Sequence, residues 1–122
     1  MAFSEDIKTK TYRAGVALPT QFIFVTMAAD GQVDPTGVGA RADGVLLTTA
    51  TAVDEAVAVA YDGRVMVKAG GTIARGGPVS ANASGLGVAS ATTNIILGRA
   101  LEAAVVNQIF TVELERAGNI QP

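Results

Sequence analysis

The 122-residue chain has no cysteine, no histidine and no tryptophan. Without cysteine there is no disulfide, thiolate nucleophile or Cys-ligated metal centre, and without histidine there is no imidazole base or ligand. Any catalysis would rest on carboxylates, lysines or hydroxyls. Charged residues make up only 16% of the chain, with a formal net charge of −2, which excludes the basic field that drives nonspecific nucleic-acid binding. Long apolar runs are missing as well. The longest charge-free stretch, residues 76–98, is filled with Gly, Ser, Thr and Asn, a composition unlike that of a membrane span. Glu5 and Asp6 stand where the basic region of a secretory signal belongs. The expected setting is therefore a cytosol, or an assembly built there.

What is present is small. Ala, Gly, Val and Thr supply 63 of the 122 residues, against six Phe and Tyr. Leu, Ile, Val and Phe together number 33, more than a disordered chain carries. The chain is expected to fold as one domain with a thin core, and to gain further burial by self-association or on a large partner. Its charge is uneven: +1 over residues 1–13, −5 over residues 14–63 and +2 over the remainder. Such halves could pair head to side, although solvated faces explain the same pattern.

Along the chain, residues 1–20 keep neither a helical nor a strand period and read as an extended arm with Phe3, Ile7 and Tyr12 as isolated apolar anchors; a frayed terminus is the competing reading. Residues 21–116 read as the folded domain and 117–122 as a loose tail. Gln21 to Met27 reads as a strand buried on both faces before an Asp30-Gly31 turn, residues 34–44 as loop, and Gly44 to Thr49 as a second strand. Ala56 to Lys68 alternates on either side of Asp62-Gly63 and predicts a hairpin with a type I′ turn, in which Tyr61 pairs with Arg64. One face of that hairpin, with Val57, Val59, Tyr61 and Met66, is the candidate self-association surface. Helix competes over Thr51 to Tyr61; the alternating β-branched residues favour strand. Closely spaced turns follow from Ala69, and a last strand pair spans Asn94 to Leu101 and Ile109 to Glu115. A weak echo links Gly44–Gly63 with Gly98–Gly118, which suggests related hairpins in one small barrel. The fold class expected is all-β, a small β-barrel or β-tulip-like domain with an extended N-terminal arm.

Candidate chemical sites are weak. The stretches Gly37 to Ala42 and Gly85 to Ser90 resemble pieces of a dinucleotide fingerprint without its strand, helix and distant acid, so they read as turns. Asp30, Asp34 and Asp43 lack calcium-loop spacing. Asp54 and Glu55 are adjacent, so in a strand they face opposite ways and cannot act together as acid and base. Ser80, Ser84 and Ser90 have no histidine and no lysine at a recognisable spacing. The expectation is no enzyme, no cofactor and no metal.

The run ADGVLL from Ala42, then DEAVAVAYDGRVMVKAGGTIARGGPVSANASGLGVAS, IILGRALEAA and IFTVEL, resembles the small capsid cement, or decoration, proteins of tailed bacteriophages over roughly residues 16–116. The shared features are turn and strand patterns with no chemical group among them. The resemblance implies a β-barrel or β-tulip domain that assembles as a homotrimer on the outer surface of the virion, binds the major capsid protein and stabilises its lattice, after synthesis in the host cytoplasm. It also implies a gripping arm, here Phe3, Ile7, Tyr12 and Arg13. Two other classes stay open: another virion module such as a head fibre base or tail component, and a small β-barrel enzyme or ligand binder. Neither nucleic acid nor membrane is an expected partner.

Overall fold

Residues 5–114 are described by the computed structural model, and every regular element among them is a strand: β1 (Glu5–Ala14), β2 (Phe24–Ala29), β3 (Gln32–Pro35), β4 (Gly44–Leu46), β5 (Ala56–Lys68), β6 (Pro78–Ala81), β7 (Gly87–Ala89), β8 (Gly98–Ala100) and β9 (Ile109–Leu114). The chain is all-β, as its composition and turn spacing indicated. Phe3 and residues 117–122 lie outside the described residues.

The strands form two closed circuits that share β5. In the first, β1 pairs with β3, β3 with β2, β2 with β4, β4 with β5, and β5 returns to β1. The second runs from β5 through β9, β8, β6 and β7. It closes where Ala69, just past β5, bridges Gly87 of β7 in parallel, as Ala14 of β1 pairs in parallel with Val33 of β3.

These circuits are two copies of one unit. Phe24 pairs with Val45 and Val25 with Gly44; Pro78 pairs with Arg99 and Val79 with Gly98. Every partner has advanced by 54 residues. The bridge Leu18–Ala50 recurs as Ile73–Ala104. The Thr26 hydroxyl, 2.9 Å from that of Thr36, donates to the Arg41 carbonyl; the Ser80 hydroxyl, 2.8 Å from that of Ser90, donates to the Ile95 carbonyl. Left-handed backbone recurs too, at Phe22 and Gly76, Gly31 and Gly85, Gly39 and Thr93, Asp54 and Asn107. Residues 9–60 are thus a first lobe and residues 64–113 a second.

Among the described residues Gly63, at φ 102°, is the one left-handed residue without a counterpart, and it lies between the lobes. The hairpin expected at Asp62-Gly63 is therefore replaced by a single 13-residue strand. A type I′ turn needs positive φ at both central residues, and Asp62 does not have it. The two halves of β5 instead find different partners, β1 and β4 for the first and β9 for the second. Register with β1 shifts between Lys8–Asp62 and Thr9–Ala60, a bulge at the joint.

The arm expected at residues 1–20 is also redrawn. Residues 5–14 are extended, but they lie in the sheet, paired with β5 from Glu5–Arg64 to Arg13–Ala56. Backbone pairing with a long neighbour supplies the order that side-chain periodicity did not announce. β2 begins at Phe24 because Phe22 turns left-handed at φ 63°, and only Ile23, Phe24 and Val25 are buried on the expected strand. β3 falls partly in a segment read as loop; Pro35 is tolerated there because it ends the strand, where its missing N–H costs no ladder bond.

Two apolar clusters fill the lobes. One holds Ala14, Leu18, Val25, Val33, Leu46, Ala50, Val57 and Val59. The other holds their second-lobe counterparts, including Ala69, Ile73, Val79, Ala100, Ala104, Phe110 and Val112, together with Phe24, Val45 and Ala60 from the first lobe. The second lobe's core is therefore extended by the outer side of the first.

Candidate interaction surface

The residues singled out in the sequence separate once placed. Val57 and Val59, proposed for self-association, are 2% and 0% exposed in the first lobe's core, so they are not available to a partner. The cause is closure of the first lobe on that side of β5: β1 and β4 flank this half of the strand, and Leu18, Val25, Val33 and Leu46 of the same chain cover the face expected to meet a partner. Tyr61 and Met66 are half-buried, and the Lys10 ammonium sits 5.1 Å above the Tyr61 ring.

Of the arm residues, Ile7 is half-buried against the larger cluster and Tyr12 against the smaller. Arg13 is exposed. Its guanidinium donates to the Asp30 carbonyl at 3.1 Å and lies 3.6 Å from the Asp54 carboxylate. Arg13 accordingly fastens β1 to the β2–β3 turn.

Most candidate chemical groups are engaged structurally and they are not assembled into one site; Asp34 is the exception, with its Oδ1 buried and without a hydrogen-bond partner. Asp43 accepts the Met27 N–H at 2.6 Å, Asp54 accepts from the Gln32 amide at 2.6 Å, and Asp34 lies beneath Gly15. Glu55 accepts the Thr51 hydroxyl at 2.6 Å and the Thr51 N–H at 3.1 Å; these bonds hold its carboxyl below the usual carboxylate range. Ser80 and Ser90 bond each other, and Asn82 rather than Ser84 organises the β6–β7 turn through its Oδ1. Gly39 and Gly85 supply left-handed turns, the turn reading of both glycine-rich stretches. Among the described residues no three acids gather as a metal would need. An open groove is lined by Pro19, Gln21, Phe22, Lys68 and Asn107 among others, and Lys68 is its one charged side chain among the described residues.

The most informative surface was not read from the sequence at all. It consists of the places where equivalent positions differ in burial. Phe24, Val45 and Ala60 have no exposed surface, whereas Arg99 and Glu113, the counterparts of Val45 and Ala60, are exposed and Pro78, the counterpart of Phe24, is half-buried. Val65, Ala81 and Leu97 are buried, whereas their counterparts Lys10, Met27 and Asp43 are exposed. The sequence carried a signal for the duplication: Ala14-Gly15 repeats as Ala69-Gly70, Val25 as Val79, Gly31 as Gly85, Gly44 as Gly98, Leu47 as Leu101 and Ala50 as Ala104. Only the Gly44 and Gly98 part of it stood out as an echo.

The sequence matches no family model and no curated protein. In three dimensions the chain is similar to the head fiber gp8.5 N base of bacteriophage phi29, with a TM-score of 0.69 and 18% identity over 93% of this chain and 98% of that one. At that identity the likeness establishes a shared fold.

Proposed function

We propose that this chain is a structural component of a bacteriophage virion, seated on the outer surface of the head as the base of a head fibre. The observation that carries the reading is the fold shared over nearly the full length of both chains with the phi29 head fiber base. The chemistry agrees with it: the chain lacks cysteine and histidine, and Asp43, Asp54, Glu55, Ser80 and Ser90 spend their polar atoms on turns and strand contacts, which suits a part that holds a position. In this reading the partner is the major capsid protein, the assembly is a homotrimer, and Arg13, exposed on β1, is the arm residue proposed for contact.

Capsid cement is the second reading, favoured by the sequence resemblance over residues 16–116. In that role binding only to the mature lattice stabilises it by mass action, and several linked contacts add to the grip. Stoichiometry separates the two. Purified protein is added to undecorated heads of the phage that encodes it, and occupancy is counted by cryo-electron microscopy. A fibre base saturates a restricted set of positions, cement saturates every equivalent lattice position, and no binding to heads overturns both.

A further inference from the structure

The duplication supplies an internal comparison at one pair of positions. In the first lobe the Arg13 guanidinium, near the end of β1, lies 3.6 Å from the Asp54 carboxylate. In the second lobe the same two places hold Lys68 and Asn107. The backbone fixes the equivalence. The Asp54 N–H bonds the Ala14 carbonyl and the Asn107 N–H the Ala69 carbonyl, each at 2.8 Å; both residues are left-handed; and Arg13 pairs with Ala56 as Lys68 pairs with Ile109. The second lobe has the cation without the acid.

Lys68 and Asn107 both line the open groove, whose volume is about 420 Å³. Lys68 is half-buried, and among the described residues no ion pair or side-chain hydrogen bond engages its ammonium. A cation partly withdrawn from water gains from a carboxylate brought against it. A second feature points to the same groove. Phe22, on its wall, has φ 63° where the second lobe has Gly76 at 78°, and a bulky residue in that region is a backbone outlier. Its conformation is held at both ends: the Phe22 N–H bonds the Leu46 carbonyl at 2.7 Å, and the Phe22 carbonyl accepts the Lys68 N–H at 2.8 Å. Glycine would make those bonds without strain. What Phe22 adds is an aromatic wall to the groove that holds Lys68.

We propose that this groove binds a carboxylate side chain of an acidic peptide segment on the head surface. Lys68 meets the carboxylate as Arg13 meets Asp54, the amides of Gln21 and Asn107 donate hydrogen bonds, and Phe22 covers the aliphatic part of the side chain. The owner of the segment rests on the virion reading above, whereas the carboxylate rests on the first lobe's own ion pair. A peptide is selected over a free acid because the groove is open. Small ligands are held by burial of most of their surface, while a segment anchored elsewhere on its own protein needs only one side covered.

The test uses the whole chain and undecorated heads of the phage that encodes it. Asn107→Asp gives the second lobe the acid that the first already has. It is expected to pair with Lys68, to leave the melting temperature unchanged or higher, and to lower affinity for heads about tenfold or more. Lys68→Gln is expected to lower it by a similar factor and Lys68→Arg to retain it. Arg75→Gln removes the same charge at an exposed position outside the groove and is expected to bind as the wild type does. A measurement without heads separates the two readings. The amide resonances of Phe22, Lys68 and Asn107 are followed as a hexaglutamate peptide or free glutamate is added; the peptide is expected to shift them, and to do so more than free glutamate at equal carboxylate concentration. Full binding of Asn107→Asp and Lys68→Gln to heads that bind the wild type overturns the proposal and leaves the virion reading standing. Heads that bind no wild-type protein overturn the virion reading; the acidic-peptide site then stands if the peptide shifts are present and falls if they are absent. An equal response to free glutamate overturns the assignment to a peptide.

Discussion

Gly44 and Gly98 are pressed against the following strand in the same way. A Cβ on Gly44 would meet the Ala60 carbonyl oxygen and lie 2.6 Å from Val59 Cγ1; on Gly98 it would meet the Glu113 carbonyl oxygen and lie 2.6 Å from Val112 Cγ1. Neither glycine has positive φ. The requirement at both is space for a close crossing, and it has been met twice, 54 residues apart.

Gly44→Ala and Gly98→Ala are therefore expected to destabilise the fold by similar amounts, about 1–3 kcal/mol each, since backbone must move to admit one methyl group. Thermal denaturation of the two variants checks this. A neutral Gly98→Ala beside a costly Gly44→Ala would show that the lobes share a trace without sharing packing.

At the joint the requirement is torsional. Gly63→Val places a β-branched residue at φ 102° and is expected to cost about 1 kcal/mol or more. The melting temperature should fall, and amide exchange should quicken in β5 on both sides of the joint.

The two hydroxyl pairs, each with one buried and one half-buried member, give a matched experiment. Thr26→Val leaves the Arg41 carbonyl without its donor, and Ser80→Ala does the same to the Ile95 carbonyl. Ser80→Ala, at a fully buried hydroxyl, is expected to cost about 1–3 kcal/mol in denaturant unfolding, and Thr26→Val, whose acceptor is exposed, about 0.5–1.5 kcal/mol. Replacing both members of one pair should cost less than twice the single change, because the members share one network.

Glu55 makes the first lobe sensitive to acid. The hydroxyl and N–H of Thr51 hold its carboxyl in the fold below its ordinary value of about 4.5. Its contribution is therefore complete above that value and is lost as pH falls through the lower, folded one. In the second lobe the same position is Gln108, whose side-chain oxygen accepts the Val105 N–H at 3.1 Å. Glu55→Gln should keep the loop closed and flatten the fall of stability with pH below 4.5, as read from urea midpoints across that range.

Sequence reasoning reached the strand content, the turn at Gly31, the close of the chain in β8 and β9, and the structural role of the glycine-rich stretches, because these depend on local torsion and alternation. It missed what depends on long-range pairing. Asp62-Gly63 carries a strong hairpin signal, yet the Val57 half and the Val67 half are each claimed by other strands. Residues 5–14 show no period because neighbouring backbone, and not an apolar stripe, holds them. The duplication was faint because matching positions on the two outer faces diverged once one side became a buried junction: Val45 against Arg99, Ala60 against Glu113, and Val65 against Lys10.

The shared strand bears on how the molecule carries load. β5 is bonded to β1 from Arg64 back to Ala56 and to β9 from Arg64 on to Lys68, so a pull on either lobe travels to the other along a covalent backbone. With the tension directed along β5, the bonds of each ladder are sheared as a set and cannot be unzipped singly. Rupture then requires much of a lobe to open at once, and its rate is governed by that high barrier. A lobe joined by a loose linker would yield at the linker. Here the joint is a strand interior, and an anchor under repeated strain would keep both lobes in register.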